Sequence, residues 1–188
     1  MNNDQIVSFD DEKLILVDSD DNVLGYETKD ACHRGDGLLH RAFSIFIFNS
    51  KNELLLQQRS KDKRLWGLYW SNTCCSHPRK GETYEQATVR RLQEELGLKA
   101  PLKFLFKFQY QARFGDVGSE NEVCSVYVGK SDTPPQPNPN EIADWKYVSA
   151  EALEEEMRAH PERFTPWFKM EWERIRREYW DEIVNMKA

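Results

Sequence analysis

The sequence predicts an α/β fold in which a mixed β-sheet is covered by helices. Three observations carry that expectation. Residues 42–48 form a near-continuous apolar run, as in a strand covered on both faces. Phe104, Phe106, Phe108 and Tyr110 alternate with more polar neighbours, which is the period of a second strand. Between the two lies a helical segment with both ends marked, by a Thr83–Gln86 capping box and by Gly97 as a stop.

Taken along the chain, residues 13–17 and 23–27 read as short strands around the turn Ser19-Asp20-Asp21-Asn22. Ser50-Lys51-Asn52 turns the strand 42–48 into a partner strand at 53–58. In the central helix, Val89, Leu92 and Leu96 make the expected core face, with Arg91 and Glu95 on roughly the opposite side. Further strands are expected at 104–110, 120–128 and 144–148, and the Pro-rich stretch 134–139 reads as a connector. Two helices close the chain. Ser149 caps one, and Thr165 with Pro166 opens the other at cap and first-turn positions. No repeat is visible, and residues 1–188 are expected to form one domain.

The chain is acidic, with net charge −6 and pI near 5.3, so its overall field invites neither nucleic acid nor an anionic membrane. No stretch approaches ~18 uninterrupted apolar residues, which argues against a spanning helix. Met1-Asn2-Asn3-Asp4 lacks a signal-peptide pattern, so a cytoplasmic setting is expected, as is a monomer or weak dimer. Cys32, Cys74, Cys75 and Cys124 match neither a zinc pair nor a secreted disulfide scaffold, and free thiols are expected.

Three of the four histidines, His33, His40 and His77, fall in unusual segments. Glu120 and Glu122 stand at i and i+2 on an expected strand, so both side chains leave the same face. Burying them without a cation would set two carboxylates against each other. Imidazoles and carboxylates together suit Mn²⁺, Zn²⁺ or Mg²⁺.

Three blocks then appear in order: His33-Arg34-Gly35-Asp36-Gly37-Leu38-Leu39-His40, Trp70-Ser71-Asn72-Thr73-Cys74-Cys75-Ser76-His77-Pro78, and Ser119-Glu120-Asn121-Glu122-Val123. Over roughly residues 10 to 170 the chain resembles the type I isopentenyl-diphosphate isomerases, a metal-dependent branch of the Nudix fold. The Nudix signature itself is degenerate. Its closing part reads Arg90-Arg91-Leu92-Gln93-Glu94-Glu95-Leu96-Gly97-Leu98, its leading glycine is Ser76, and Arg91 stands where an acidic residue is expected. Nudix hydrolases collect metal ions on the glutamates of this helix. A cation at position 91 repels metal and attracts phosphate, which favours holding a diphosphate over cutting it.

The resemblance implies roles for individual residues. His33, His40, His77, Glu120 and Glu122 would coordinate one divalent ion, and Mg²⁺ would bridge a small diphosphate substrate to Glu95. Lys29, Arg59, Lys63 and Arg91 would hold the diphosphate, whereas Lys61 and Arg64 read as ordinary surface charge. The implied reaction takes isopentenyl diphosphate to dimethylallyl diphosphate. Glu122, coupled to Tyr110, would deliver a proton and a Cys75 thiolate would remove one, while the face of Trp167 steadies the cation. Trp172, Trp180, Cys74 and Cys124 read as packing residues. The rivals are a Nudix hydrolase, disfavoured by Arg91 and by the additional His and Cys blocks, and an inactive binding module, which predicts lost site residues.

Overall fold

The structure, a computed structural model, describes residues 3–187. Its strands are β1 (Lys13–Val17), β2 (Val23–Thr28), β3 (His40–Phe48), β4 (Leu54–Arg59), β5 (Trp70–Ser71), β6 (Cys74–Ser76), β7 (Lys103–Phe114), β8 (Gly118–Lys130) and β9 (Ile142–Val148). The helices are α1 (Lys29–Cys32), α2 (Tyr84–Leu96), α3 (Ala150–Ala159), α4 (Pro166–Arg174) and α5 (Trp180–Asn185). A π-helical turn at Ile175–Tyr179 joins α4 to α5.

β3 is the hub of one mixed sheet. It pairs in parallel with β8 from His40↔Glu122 to Phe48↔Lys130, and antiparallel with β6 through Ser44↔Cys75. β7 pairs antiparallel with the far side of β8, with Tyr110 opposite Glu122. Alternation along β3 divides the core into two layers. Phe43, Ile45 and Ile47 pack with Ala87, Leu92 and Leu96 of α2. Ala42, Phe46 and Phe48 pack with Leu153, Trp167, Phe168 and Trp172 of the C-terminal helices. The expected strand covered on both faces is thus the centre of the molecule.

The ends of α2 follow the sequence signals. Thr83 and Gln86 form both bonds of the capping box, and Gly97 adopts a left-handed conformation with φ 63°. The connector at 134–139 completes the C-terminal end, since the N–H groups of Gln136 and Asn138 donate to the carbonyls of Leu96 and Glu95. The expected core face of this helix needs correction. Val89 is exposed, whereas Arg91 and Glu95 are only 3% and 2% exposed and share the buried arc with Ala87 and Leu92. An ion pair between the two satisfies both charges inside, so hydrophobic periodicity alone misjudged the face.

The sequence reading passed over α1, β5, β6 and the π turn. β5 and β6 are too short and polar to show a period. They form because fully buried Asn72 and Thr73 stitch the segment into the sheet. Asn72 Nδ2 donates to the carbonyls of Ile45 (3.2 Å) and Cys74 (2.9 Å), and the Thr73 hydroxyl donates to Leu55 O (2.6 Å). Thr165 does not cap α4 with its hydroxyl, which pairs instead with Ser71 Oγ at 2.9 Å. Ser149 caps α3 as expected, accepting from Ala152 N.

Candidate active site

Strand register assembles the first cluster. Glu120 and Glu122 leave one face of β8, His40 enters from its pairing partner β3, and Tyr110 enters from β7. His77 follows the end of β6, and His33 is the C-cap residue of α1. Close backbone packing holds His33 there. Ser119 N donates to His33 O, and a Cβ at Gly118 would strike that same carbonyl, so only glycine lets the start of β8 lie this near. The three imidazole centroids lie 5.0, 5.2 and 4.8 Å apart, and one donor atom from each of the five residues falls within 4.8 Å of every other.

The hydrogen bonds around this cluster fit a cation. His33 Nδ1–H donates to Lys29 O at 2.6 Å and His40 Nδ1–H donates to Leu38 O at 2.7 Å. In those tautomers each Nε2 presents a lone pair to the glutamates, the outer-shell arrangement of metal-bound histidines. His33 Nε2 lies 2.8 Å from Glu120 Oε2, and His77 Nε2 lies 2.9 Å from Glu122 Oε1. Buried His40 Nε2 and Glu120 Oε2 nevertheless lack a properly aligned hydrogen-bond partner. Lone pairs facing lone pairs, with two orphaned buried atoms, call for positive charge between them. The titration directions agree. Burial opposes charge on His33, yet neighbouring Glu120 raises its pKa. Burial and the charges of His40 and His33 hold His77 well below its usual value. Burial works against an ionised Glu122, but His40 and Tyr110 beside it keep the carboxyl below the ordinary range. Three nitrogen and two oxygen donors fit a divalent metal ion.

The cluster forms one wall of a cavity of about 450 Å³. Lys29, Arg59, Lys63 and Arg91 line it together with Cys75, Tyr110, Trp167, His33, His77, Glu120 and Glu122. Two expected site residues stand back from it: His40 is fully buried behind the wall, and Glu95 is bonded to Arg91 and to Gln57 Nε2, the latter at 3.1 Å. Arg59 spans the reactive end. Its Nε and Nη2 donate to the carbonyls of Trp66 and Leu65, both at 3.1 Å, and Nη1 lies 3.7 Å from Cys75 Sγ. Its guanidinium also sits 5.3 Å from the centroid of the Trp167 ring. Arg64, expected as plain surface charge, stands at the rim with Nη1 bonded to Asp30 at 2.6 Å.

Burial pushes the Cys75 thiol up to about 12, against the pull of Arg59. Tyr110 O–H donates to Glu122 Oε2 at 2.6 Å, and burial together with the Glu122 charge keeps the phenol well above its usual range. Burial, with Lys63 and Arg91 nearby, lowers Lys29 to about 8.

Three residues escaped the sequence reading. Trp66 meets Trp167 edge to face at 5.3 Å and has a left-handed backbone, φ 49°, in the loop that wraps Arg59. Its signal was faint, one aromatic in a basic loop. Glu141 accepts from Lys63 and from Arg91 Nη2, the latter at 3.0 Å. Glu171 of α4 is fully buried, with Cys124 Sγ 3.6 Å from its Oε1, and burial raises its carboxyl to about 8. No local pattern marks either glutamate, because their partners are distant in the chain: Lys63 and Arg91 for Glu141, Cys124 for Glu171.

A family model described as NUDIX domain matches residues 38–168. The chain is 45% identical over 174 residues to isopentenyl-diphosphate Delta-isomerase 1 of Photorhabdus laumondii, covering 92% of this chain and 99% of that one. It is 48% identical over 158 residues to the isopentenyl-diphosphate Delta-isomerase of Serratia proteamaculans, covering 84% and 88%. Among solved structures it resembles the DR0079 protein of Deinococcus radiodurans, with TM-score 0.65, 26% identity and coverage of 79% and 90%. A MutT protein from Methanosarcina mazei, with TM-score 0.61, 19% identity and coverage of 74% and 94%, shares the fold.

Proposed function

The chain belongs to the Nudix family and, within it, to the isopentenyl-diphosphate Delta-isomerases, and from that premise we propose that it converts isopentenyl diphosphate to dimethylallyl diphosphate in the cavity between Cys75 and Glu122. One observation carries this reading: a thiol and a carboxyl line the same cavity as a cluster of cations. Lys29, Arg59, Lys63 and Arg91 hold the diphosphate, which fixes the five-carbon chain toward the metal cluster.

The reaction is an allylic proton shift. A proton adds to the terminal alkene carbon, the π electrons form that C–H bond, and a tertiary cation remains. Loss of a proton from the carbon two bonds away returns an electron pair as the new double bond. Glu122 delivers the first proton, oriented by its 2.6 Å bond from Tyr110, and Cys75 takes the second. His33, His40, His77, Glu120 and Glu122 hold a divalent ion, which when bound supplies positive charge that makes Glu122 a stronger acid. Trp167 presents a ring face that already accommodates a guanidinium, in support of its role beside a cation. Trp66, packed edge to face against Trp167, holds that ring at the cavity wall.

A second reading reverses the two roles. With Cys75 raised to about 12 and Glu122 held low, the resting pair is a thiol and a carboxylate, the states that suit Cys75 as donor and Glu122 as acceptor. The rate of Cys75 alkylation by iodoacetamide against pH, with Mg²⁺ and inorganic pyrophosphate present, separates them. A midpoint below about 9 supports the thiolate base, and one near 12 supports the reverse.

For the ions we propose Mn²⁺, Zn²⁺ or Mg²⁺ at the His/Glu cluster and Mg²⁺ between Glu95 and the diphosphate. Each Glu95 oxygen accepts one hydrogen bond, from Arg91 or from Gln57, and keeps a second lone pair that can face the ion. We also propose one domain over residues 1–188, a monomer or weak dimer, a cytoplasmic setting, and neither nucleic acid nor membrane as partner. No helix among the described residues is long and apolar enough to cross a membrane.

The deciding experiment is product NMR after turnover of isopentenyl diphosphate with Mg²⁺ in D₂O. Deuterium should enter the new methyl group. Cys75→Ser and Glu122→Gln should each slow isomerisation at least about 100-fold, and only Glu122→Gln should also weaken metal binding. Near wild-type turnover by Cys75→Ser would sink the two-residue chemistry.

A further inference from the structure

Glu141, immediately before β9, lines the cavity yet takes no part in the metal cluster or in the proton shift. It is 2% exposed, and its Oε2 accepts from both Lys63 Nζ and Arg91 Nη2. Lys63 and Arg91 outweigh the effect of burial and hold its carboxyl down to about 2, so it is ionised at every working pH. A permanent negative charge therefore occupies two of the cations assigned to an incoming polyanion. Each anionic group of a ligand brought near it is repelled, on the order of tenfold to hundredfold in affinity for one charge pair in such surroundings.

We infer that Glu141 is a specificity-determining residue that biases the pocket against bare diphosphate and toward its complex with a divalent cation. Lys29, Arg59, Lys63 and Arg91 carry four positive charges, and the buried carboxylates Glu141 and Glu95 cancel two of them. The remainder suits a ligand of small net negative charge. A diphosphate whose oxygens already hold a cation meets that condition, and the free anion does not. Glu141 also keeps Lys63 and Arg91 extended into the cavity before ligand arrives, so the discrimination is built in rather than induced. The inference rests on the reading of these cations as the diphosphate site.

The test is calorimetric titration of the full chain with inorganic pyrophosphate at pH 7, with and without Mg²⁺. Wild type should bind at least about tenfold tighter with Mg²⁺. Glu141→Gln, which keeps the shape and removes the charge, should tighten metal-free binding about tenfold and change Mg²⁺-dependent binding by no more than about threefold, collapsing the ratio. Glu141→Asp keeps the charge and should keep the ratio. A wild-type ratio retained in Glu141→Gln overturns the inference alone. Failure of wild type to bind pyrophosphate under either condition removes the diphosphate reading and this inference with it. If Glu141→Gln does not fold, Glu141→Ala takes its place in the same titration, and a wild-type ratio retained there overturns the proposal.

Discussion

Replacing Glu171 by glutamine should make the protein more resistant to unfolding as pH rises. Glu171 projects from α4 onto the sheet, fully buried, with Cys124 Sγ against one oxygen and no partner for the other. Burial raises its carboxyl from 4.5 to about 8. Between those values the folded protein keeps a proton that the unfolded chain has released, so stability falls as pH rises. At about 1.4 kcal/mol per pH unit the cost is about 3 kcal/mol at pH 7, and it approaches about 5 kcal/mol near pH 8, above which it levels off. Glutamine cannot ionise, so it removes this dependence. Its amide adds a buried donor that carries a fixed cost of about 1–3 kcal/mol, but that offset does not vary with pH. The slope is therefore the readout. Urea unfolding of both proteins at pH 5, 6, 7, 8 and 9 should show the variant gaining about 1.4 kcal/mol per unit up to pH 8. A difference that stays flat across that range would refute the picture of a neutral, buried Glu171.

Other perturbations should be equally diagnostic. His77→Ala or His33→Ala should lower bound metal and turnover together, as read by elemental analysis beside the isomerase assay; full occupancy in a folded, inactive His77→Ala protein would contradict its role as a ligand. Arg91→Ala should raise KM for the diphosphate and also destabilise the fold by about 3–5 kcal/mol, because it strands the buried carboxylate Glu95 and leaves Glu141 with Lys63 alone. Unchanged KM would remove Arg91 from the anion site, and an unchanged unfolding midpoint would contradict its buried pairing.

The sequence by itself determined the α/β class, the central strand, both ends of α2 and about half of the residues lining the cavity. It could do so because those features leave local marks. A strand buried on both faces must be apolar throughout, a helix end needs particular capping residues, and a chemical site needs particular side chains. The i, i+2 spacing of Glu120 and Glu122 already fixed them on one face. What only the tertiary structure decided is which charges meet. Arg91 and Glu95 lie inside because each satisfies the other, a fact that hydrophobic periodicity cannot register. Glu141 reaches Lys63 and Arg91 through the pairing of β9 with β4, and Glu171 reaches Cys124 through the packing of α4 on the sheet. The upward push that burial gives the Cys75 thiol, against the pull of Arg59, comes from packing that no motif encodes. Residue type gives each group its chemistry, but burial and distant partners set the charge it carries, and those exist only once the strands are in register.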